Sequence, residues 1–501
     1  MMQPNCMSLD ELFSGIGVDI PPSTVSVNQI CASSRRVTPG SLFLALAGAS
    51  HHGLQYLQQA LSAGAVAVAW EPAAGVGQVE VPDGIAAFPV PGLSGLQGRL
   101  ADCFYRAPST DLKVTGITGT NGKTTVAWLV SQALTALGQR AAYSGTLGFG
   151  LPGALEPASL TTPGCVEVHR RLRQFADDSV RHAVMEVSSH ALDQGRVDEV
   201  RFAVTALTNI SRDHLDYHGD MDRYVSAKSR LFLDQPAPVA VINMADERAR
   251  ALGAGLGPHT DLIGVALLEP TEASPAARLI GSLVATRRAG IGVELTGDFG
   301  QALIESQLWG RFNAENLVVA AGILIGHGVD LASAAQALAS ATPPPGRLER
   351  LVQSPQGPDV VVDFAHSPEA LKKALLAVRE HCDGNVWCVF GCGGDRDTGK
   401  RAPMGGVASA LADHVLLTDD NPRGEDPDAI IASIRAGTSG PGHVEVIRDR
   451  AHAIRHAVRN AALGDAVLIA GKGHELVQIE AGRSLPFSDR EVARTALEKS
   501  L

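Results

Sequence analysis

The segment Val114–Thr125 combines residue types that bind a nucleoside triphosphate. An apolar stretch leads into Gly-Thr-Asn-Gly, followed by Lys123, Thr124 and a helical pattern starting near Val126. Backbone N–H groups of such a turn surround phosphate oxygens, and the helix N-terminus adds favourable partial charge. Lys123 can reach the β- and γ-phosphates, and the Thr124 hydroxyl can bind Mg²⁺. The segment therefore predicts an ATP site.

This loop departs from the general eight-residue phosphate-binding template. The template places a glycine five positions before the Gly-Lys pair, where this chain has Ile117. A shorter pattern, with Gly119 and Gly122 before Lys-Thr, is intact, and its glycines allow close approach of the backbone. The alternative is a glycine-rich turn with an exposed lysine. The strand before the turn and the helix after it favour the nucleotide site.

Two further polar segments, Met185–His190 and Thr208–Gly219, each follow an apolar stretch that is typical of a strand. Ligands of an open α/β sheet bind beyond the carboxyl ends of its strands. We therefore expect Glu186 and His214 to converge on a metal held by the triphosphate. Mg²⁺ fits this chemistry, because it prefers carboxylate and phosphate oxygens.

Two alternatives exist for these segments. His214 and His218 have the i, i+4 spacing that on a helix suggests zinc, but no glutamate follows His214 and Gly219 indicates a loop. The Ser188–His190 segment could suggest a hydrolase, but the Gly-x-Ser-x-Gly motif is missing. We expect these side chains to bind substrate.

Apolar β-branched stretches alternate with Ala/Leu-rich helical stretches along most of the chain. Val386–Phe390 is an example of the strand-like type, and Pro368–Glu380 and Leu317–Gly326 are examples of the helical type. This alternation predicts the α/β class with largely parallel sheets covered on both faces. The less regular stretch Thr260–Gly300 predicts β-hairpins.

The length of 501 residues suggests about three domains. The periodicity breaks near Pro108, and three consecutive prolines near residue 344 indicate a stiff linker. We therefore predict domains at 1–108, 109–343 and 344–501, with a P-loop-type parallel sheet in the central domain and a Rossmann-like C-terminal domain.

Composition excludes several classes of protein. The net charge of −11 argues against nucleic-acid binding. The start of the chain lacks the basic and apolar regions of a signal peptide, and Leu317–Ile325 is about half the length of a membrane span. Seven scattered cysteines without a Cys-x-x-Cys motif predict reduced thiols and a cytoplasmic location.

The motifs together resemble the muramyl (Mur) ligases, ATP-dependent amide ligases of peptidoglycan synthesis, and among them the branch that adds the third residue of the stem peptide. The matching segments follow the family's order from about residue 30 to residue 475: Gly119–Thr124, Glu186–Leu192, Thr208–Met221, Gly310–Asn316, Asp363–Pro368, Gly391–Asp397, Asp420–Arg423 and Gly471–Glu475.

The resemblance implies three domains that bind, in order, a UDP-sugar, ATP and an amino acid. In the family reaction the D-Glu γ-carboxylate of UDP-MurNAc-L-Ala-D-Glu becomes an acyl phosphate, which the amine of the amino acid attacks. Such chemistry needs positioning and charge neutralisation rather than a serine or cysteine nucleophile. We expect small-molecule substrates only, a monomer, and a role in cell-wall biogenesis and hence in cell shape and division.

The resemblance also assigns residues to ATP and its metals. Thr124 and Glu186 would bind one Mg²⁺, while His214 and Lys228 would serve a second, with Lys228 as N6-carboxylysine. Lys123, Lys228, His214 and Glu186 form the expected catalytic group. The residues expected to bind ATP are Gly119, Thr120, Asn121, Gly122, Lys123, Thr124 and Thr125 from the loop, with Asn313, Arg347, Asp363 and His366 from further along the chain.

Other positions match the site of the UDP-MurNAc dipeptide. The residues on the peptide side are Thr161, Thr162, Ser188, Gln194 and Arg196, and those on the uridine side are Ser34, Ala49, Ser50 and His51. The segment Ala32–Arg36 departs from the family's more common Asp-Ser-Arg pattern.

Family members that add meso-diaminopimelate carry Asp-Asn-Pro-Arg, which is intact at Asp420–Arg423. The arginine suits this substrate, because diaminopimelate has a second carboxylate that lysine lacks, and a guanidinium binds a carboxylate bidentately. Arg396 would be a second carboxylate ligand, and Glu475 and the Gly471 carbonyl would accept from the distal ammonium. The full expected set is Arg396, Asp420, Asn421, Pro422, Arg423, Gly471 and Glu475, with Lys472 and His474 shaping the loop.

Three rival functions remain open at this point. A folylpolyglutamate synthase would share the ATP loop but should lack Asp-Asn-Pro-Arg. A non-catalytic nucleotide-binding regulator would not need the loop lysine, both metal ligands and the amino-acid site, all of which are present. A P-loop motor or signalling NTPase should have a second strand ending in aspartate at suitable spacing, which is missing.

Overall fold

The computed structural model describes residues 6–48, 51–74, 76, 79–269, 272, 276–351 and 357–499. The chain divides into two compact units, one of residues 1–264 with 322–329 and one of residues 265–321 with 330–501. Each unit contains parallel strands and helices, which confirms the predicted α/β class.

The first 108 residues form a small parallel sheet within the first unit. Its strand order is β3-β4-β5-β6. The elements of this part are β1 (Met7–Ser8), α1 (Leu9–Gly15), β2 (Ser26–Val27), β3 (Gln29–Cys31), β4 (Ser41–Ala45), α2 (Leu57–Ser62), β5 (Ala65–Trp70), β6 (Ala86–Pro89) and α3 (Leu93–Phe104).

The rest of the first unit is built on a larger sheet with the order β10-β9-β8-β11-β7-β12-β13. Strands β8, β11, β7, β12 and β13 run parallel, and β9 and β10 are antiparallel. The elements are β7 (Lys113–Thr118), α4 (Lys123–Ala136), β8 (Ala141–Gly145), β9 (Gly148–Leu151), β10 (Ala154–Glu156), α5 (Cys165–Asp177), β11 (His182–Glu186), α6 (Ser189–Asp193), β12 (Phe202–Leu207), α7 (Leu215–His218), α8 (Met221–Leu233), β13 (Val239–Asn243) and α9 (Glu247–Ala254).

Adjacent parallel strands bring three chain segments to one edge of this sheet. Ile117 in β7 pairs with Glu186 at the end of β11, and Thr118 pairs with Leu207 at the end of β12. The phosphate loop, Glu186 and the segment after Leu207 therefore leave the sheet side by side.

Two differences from the sequence prediction concern helix starts. Helix α4 begins at Lys123 instead of near Val126, because Gly122 adopts the left-handed conformation (φ 87°) that turns the chain into the helix. The helix predicted from Leu317 begins at Arg311.

The second unit begins with antiparallel strands that confirm the predicted β-hairpins. Strand β14 (Asp261–Leu267) crosses the boundary between the units and pairs in parallel with β15 (Leu279–Arg287), which continues antiparallel through β16 (Gly290–Gly297) and β17 (Gly300–Ser306). Helices α10 (Arg311–Gly326) and α11 (Leu331–Ala339) follow.

The C-terminal part of the second unit is a Rossmann-like sheet of order β18-β19-β23-β20-β21-β22, parallel except at β18. Its elements are β18 (Glu349–Leu351), β19 (Asp359–Asp363), α12 (Pro368–Glu380), β20 (Val386–Phe390), α13 (Arg401–Leu411), β21 (His414–Leu417), α14 (Pro427–Arg435), β22 (His443–Val446), α15 (Arg450–Asn460), β23 (Ala466–Ala470), β24 (Val477–Glu480), β25 (Arg483–Pro486) and α16 (Asp489–Glu498). Apolar residues of β19, β20 and β23 are fully buried between helices on both faces.

All seven cysteines are free, as predicted. In the part of the chain that the structure describes, none of the helices has the length and apolar character that crossing a bilayer requires.

Candidate active site

The phosphate loop is held by the segment that follows β12. Gly119 has φ 143°, and a Cβ there would lie 1.9 Å from Thr208 Oγ1. Thr208 Oγ1 donates to the Asn121 carbonyl (2.6 Å), and the Thr120 N–H donates to the Asn209 carbonyl (2.8 Å). Position 119 therefore requires glycine, and the loop is fixed before any ligand binds.

Two lysine amines converge on one carbonyl of this loop. Lys123 Nζ donates to the Gly119 carbonyl (2.8 Å) and the Thr120 carbonyl (2.9 Å). Lys228 Nζ, from α8, donates to the same Gly119 carbonyl (2.8 Å). The loop therefore has two amine groups at one point, and the Lys123 ammonium suits a ligand with negative charge.

Lys228 is almost completely buried, with 1% of its surface exposed. Burial, reinforced by the nearby charge of Lys123, holds its pKa well below that of an ordinary lysine. Its amine lies 4.7 Å from the centre of the Tyr224 ring. These surroundings favour the neutral amine, which is the nucleophilic form.

Glu186 forms a compact hydrogen-bonded group at the end of β11. Its Oε2 accepts from Thr124 Oγ1 (2.8 Å), and its Oε1 accepts from Tyr143 Oη (2.5 Å) and from the Thr146 N–H (2.9 Å). The carboxylate is 1% exposed. The structure thus brings together Thr124 and Glu186, the two residues predicted to bind one Mg²⁺.

The donor chemistry at this position fits a magnesium ion. A hydroxyl oxygen and a carboxylate oxygen lie within hydrogen-bond distance beside the phosphate loop, and phosphate oxygens would complete an all-oxygen set. Among the described residues, no group of three or more His, Cys, Asp or Glu side chains is arranged to hold a metal. This gives no support to the zinc alternative.

His214 lies at the start of α7 with φ 52°, and 48% of its side chain is exposed. Its ring is 4.8 Å from the His190 ring and 6.4 Å from the Tyr224 ring. His218, its i+4 neighbour, is buried, with its Nε2 3.1 Å from Ser189 Oγ. Tyr224 therefore neighbours both members of the second predicted metal pair, His214 and Lys228.

The residues predicted on the peptide side of the UDP-MurNAc dipeptide lie next to Glu186. Thr162 Oγ1 donates to the Glu186 carbonyl (2.9 Å) and accepts from the Ser188 N–H (3.1 Å). Arg196 Nη1 donates to the Thr162 carbonyl (2.8 Å). Thr161 connects to the same group through Thr146, and Gln194 through Arg196.

A cavity of about 360 Å³ in the first 108 residues contains two of the predicted uridine-side residues. Ser34 and His51 line it together with the aromatic rings of Phe43 and Tyr56. Ser34 Oγ donates to Gln59 Oε1 (2.9 Å). The predicted residues Ala49 and Ser50 lie outside the described residues.

A neighbouring cavity of about 330 Å³ has Arg36, Glu167 and Arg170 in its wall. The Glu167 carboxylate pairs with Arg36, Arg170 and Arg171. Burial raises the pKa of Glu167, but the three arginines lower it by more than burial raises it, and the resulting pKa is about 2. Sequence reasoning missed this cluster, because Arg36 and Glu167 lie in separate parts of the chain.

The second unit contains the other residues predicted for ATP. Asp363 is half-buried, desolvation raises its pKa, and its oxygens accept from the N–H groups of Leu348 (2.7 Å) and Ala365 (2.8 Å). The Arg347 guanidinium lies 4.7 Å from the centre of the Phe364 ring. His366 lies nearby, with its Nδ1 2.9 Å from the Phe364 carbonyl.

Asn313 lies near the start of α10 and is 2% exposed. Its Nδ2 donates to the Trp309 carbonyl (2.8 Å), and its Oδ1 accepts from Asn316 Nδ2 (3.0 Å). These bonds fix the amide in place.

The predicted diaminopimelate residues come together at the carboxyl edge of the C-terminal sheet. A Cβ at Gly393 would lie 2.7 Å from Arg423 Nη1 and 3.7 Å from Arg396 Cγ, so both arginines lie against this glycine. Arg423 Nη1 donates to the Gly394 carbonyl (2.8 Å). The arrangement places the Arg423 guanidinium and the aliphatic part of the Arg396 side chain beside a residue that has no side chain.

The hairpin β24–β25 supports the Asp420–Arg423 loop. Arg423 has φ 55°, its N–H donates to the Ile479 carbonyl (2.9 Å), and its carbonyl accepts from the Ala481 N–H (2.8 Å). Gln478 Nε2 donates to the Asp420 carbonyl (2.8 Å). The hairpin therefore holds Arg423 in a conformation that non-glycine residues rarely adopt.

Lys472 lies beneath this loop and has no exposed surface. Its Nζ donates to Asn421 Oδ1 (2.9 Å) and Glu475 Oε2 (3.0 Å), and Asn421 Nδ2 donates to the same Glu475 oxygen (3.0 Å). Asp420 is buried beside Gly471, and burial raises its pKa. Lys472 thus fixes Glu475 and Asn421 as a unit.

Several residues that shape the site were not assigned from the sequence. Tyr143 and Thr146 on Glu186, and Thr208 and Asn209 on the phosphate loop, are the clearest cases. Thr208 and Asn209 directly follow an apolar strand, a signal that could have identified them. Tyr143 lies within a strand and gives no such signal.

The chain is similar to proteins of the Mur ligase family along most of its length. Family models match residues 26–91 (Mur ligase family, catalytic domain), 117–324 (Mur ligase middle domain) and 346–473 (Mur ligase, glutamate ligase domain). The UDP-N-acetylmuramoyl-L-alanyl-D-glutamate–2,6-diaminopimelate ligase of Xylella fastidiosa is 46% identical over 480 residues, which cover 96% of each chain.

Solved structures show the same likeness. A structure of a UDP-N-acetylmuramoyl-L-alanyl-D-glutamate–2,6-diaminopimelate ligase is 32% identical, with a TM-score of 0.71, and covers 98% of this chain and 99% of that one. A folylpolyglutamate synthase of Mycobacterium tuberculosis, solved with ADP, is 21% identical, with a TM-score of 0.58, and covers 75% of this chain and 92% of its own. This second likeness concerns the fold alone.

Proposed function

The chain belongs to the Mur ligase family, and we propose that it joins meso-2,6-diaminopimelate to UDP-MurNAc-L-Ala-D-Glu while converting ATP to ADP and phosphate. The observation that supports the choice of amino acid is that the side chains of Arg423 and Arg396 both lie against Gly393. Diaminopimelate differs from lysine by a second carboxylate, and guanidinium groups bind carboxylates strongly. Glu475 would accept from the distal ammonium.

In the first step, the D-Glu γ-carboxylate attacks the γ-phosphorus of ATP, an acyl phosphate forms and ADP leaves. The N–H groups of Gly119–Thr125 and the Lys123 ammonium stabilise the charge that develops on the transferred phosphoryl group. Thr124 and Glu186 would hold Mg²⁺, which when bound neutralises charge on the triphosphate.

In the second step, the amine of diaminopimelate attacks the acyl carbon. The tetrahedral intermediate expels phosphate, the nitrogen loses a proton and an amide remains. No side chain forms a covalent bond to the substrate, so the protein contributes orientation and electrostatic stabilisation. Thr161, Thr162, Ser188, Gln194 and Arg196 would orient the dipeptide, and Ser34 and His51 the uridine end.

We assign Lys228 as N6-carboxylysine. Its buried amine supports this, because a neutral amine adds to CO₂, forming a carbamate and releasing one proton. The carbamate would replace the amine by an anionic oxygen ligand suited to Mg²⁺, near His214. Lys123, on the same carbonyl, would balance the new negative charge.

Three further assignments belong to the proposal. The segments 1–108, 109–343 and 344–501 would bind the UDP-sugar, ATP and the amino acid, with Asn313, Arg347, Asp363 and His366 contributing to ATP binding. The enzyme would act in the cytoplasm, consistent with seven free cysteines. It would act as a monomer.

The test is phosphate release with ATP, Mg²⁺ and UDP-MurNAc-L-Ala-D-Glu, after addition of meso-diaminopimelate or L-lysine, with product masses recorded. We expect a UDP-tripeptide with diaminopimelate only. Equal incorporation of lysine would refute the specificity assigned to Arg423 and leave the ligase activity. If neither amino acid gives a product, the proposed function is wrong and a folate-type ligase becomes the better hypothesis.

A further inference from the structure

A chain of hydrogen bonds next to the dipeptide residues includes two side chains without an assigned role, Asp193 and Tyr217. Tyr217 Oη donates to Asp193 Oδ2 (2.7 Å) and accepts from Gln194 Nε2 (3.0 Å). Gln194 Oε1 accepts from Nε (3.0 Å) and Nη2 (2.6 Å) of Arg196. Arg196 Nη1 then donates to the Thr162 carbonyl (2.8 Å).

The two ends of this chain, a carboxylate on Asp193 that accepts and a guanidinium on Arg196 that only donates, determine the direction of every bond in it. An ionised carboxylate can only accept, and a phenol has a single proton. Tyr217 must therefore donate to Asp193 and accept from Gln194. The Gln194 amide must then turn its nitrogen toward Tyr217 and its oxygen toward Arg196.

This orientation leaves donors facing outward. One N–H on each terminal nitrogen of Arg196 and one on the Gln194 amide have no acceptor among the described residues. A reversed amide would place N–H groups against the guanidinium and lose the two bonds that fix it. A fixed set of N–H donors suits a carboxylate, and the L-Ala-D-Glu peptide carries two.

We propose that Tyr217 and Asp193 are positioning residues for the muramyl dipeptide: they fix Gln194 and Arg196 as a rigid donor pair for a carboxylate of the peptide. The inference rests on the proposed function, in which Gln194 and Arg196 bind that substrate.

Tyr217 lies at the surface, so its hydroxyl can be removed without disturbing the core. This allows a positioning role to be distinguished from a structural one. The Tyr217 ring is 41% exposed and lies against His190, with ring centres 4.2 Å apart. Replacement by phenylalanine keeps the ring and its contact with His190 and removes only the phenol oxygen. The variant should therefore fold as the parent protein does.

The experiment compares Tyr217→Phe with Tyr105→Phe. The Tyr105 hydroxyl is buried and has no hydrogen-bond partner among the described residues, so its removal is a matched control. For Tyr217→Phe we expect a roughly tenfold higher KM for UDP-MurNAc-L-Ala-D-Glu, with unchanged KM for ATP and diaminopimelate and an unchanged melting temperature. For Tyr105→Phe all three KM values should remain those of the parent.

Asp193→Asn is the second variant. An amide at this position no longer forces the phenol to donate to it, so the bond from Gln194 Nε2 to the Tyr217 oxygen weakens while Arg196 still orients the amide, and we expect a smaller rise in the same KM. Unchanged dipeptide KM in both variants, or equal rises in all three KM values, would overturn the inference.

Equilibrium binding of UDP-MurNAc-L-Ala-D-Glu without ATP separates the inference from the proposed function. If the parent protein binds this ligand but forms no product, the chemistry is wrong, and weaker binding by Tyr217→Phe would still support the inference. If the parent protein neither binds nor reacts, both are wrong.

Discussion

Two buried lysines, one in each unit, have opposite surroundings. Lys228 is 1% exposed and donates to a backbone carbonyl that it shares with Lys123, and within the described residues no carboxylate accepts a hydrogen bond from it. Lys472 is fully buried and donates to Asn421 and to the carboxylate of Glu475.

The presence or absence of a carboxylate partner distinguishes a structural lysine from one retained for chemistry. A buried cation with a hydrogen-bonded acid is balanced, and removal of either partner leaves the other uncompensated. A buried amine without an acidic partner destabilises the fold when it is charged. Such a lysine is therefore retained for its function. We therefore read Lys472 as part of the architecture and Lys228 as part of the chemistry.

The largest expected effect is on catalysis by Lys228→Met. We expect kcat to fall roughly 10²–10³-fold, the usual result of removing one electrostatic stabiliser, while the melting temperature stays equal or rises. Phosphate release and thermal unfolding measure the two effects. Lys372→Met, at an exposed lysine, is the control and should change neither.

Partial rescue of Lys228→Met by acetate would sharpen the interpretation, since a small carboxylate can supply the missing oxygen ligands. A large fall in the melting temperature of this variant would contradict the assignment of Lys228 to chemistry, because Lys228 would then stabilise the fold.

The opposite outcome is expected for Lys472→Met, which leaves Glu475 and Asn421 without their cation. The free energy of unfolding should fall by roughly 1–2 kcal/mol, less than for a fully buried pair, because a third of the Glu475 side chain is exposed. Denaturant unfolding measures this loss. The double variant Lys472→Met/Glu475→Leu should recover part of it, and failure to recover any would show that the pair is not coupled.

Glu167 extends the comparison to a buried anion with three arginine partners. Its folded pKa is about 2 against an ordinary value of 4.5, so its stabilising contribution is present above pH 4.5 and is lost as the pH falls toward 2. That contribution is at most roughly 3 kcal/mol.

Urea unfolding of the parent and of Glu167→Gln between pH 6 and pH 3 tests this expectation, and the stability gap should shrink toward low pH. As a control, Glu305 forms an exposed ion pair, and Glu305→Gln should change the stability by well under about 1 kcal/mol. A constant gap for Glu167→Gln would show that its charge does not stabilise the fold.

The smallest effect is expected at Arg423→Lys, where the positive charge is kept. Loss of the bidentate geometry should raise the KM for diaminopimelate roughly tenfold and leave the KM for ATP unchanged. Competition between diaminopimelate and L-lysine, followed by product mass, should show weaker discrimination. Arg435→Lys, at an exposed arginine of α14, is the control.

Local patterns in the sequence predicted much of the molecule. The strand, glycine turn and helix around Lys123 are contiguous, so the phosphate loop could be recognised without a structure. The position of Glu186 at the sheet edge followed from the rule that ligands lie beyond the carboxyl ends of parallel strands, and its pairing with Thr124 from the family resemblance.

Contacts between distant segments could not be predicted. Tyr143 contacts Glu186 because strands β8 and β11 are neighbours in the sheet. Local sequence patterns do not determine the order of strands in a sheet. Arg36 pairs with Glu167 for a similar reason. The direction of the hydrogen bonds that join Asp193, Tyr217 and Gln194 could be assigned only from side-chain positions. All three residues nevertheless lie within or next to the family's matching segments.

The left-handed backbone of Arg423 has a consequence for attempts to engineer this enzyme. A non-glycine residue at φ 55° costs the fold about 1 kcal/mol, which glycine would recover. Arg423→Gly should therefore survive heating better than the parent protein while losing its preference for diaminopimelate. A screen that selects only for thermal tolerance would enrich this change and yield robust but unselective variants, so such a screen should also record which amino acid is incorporated.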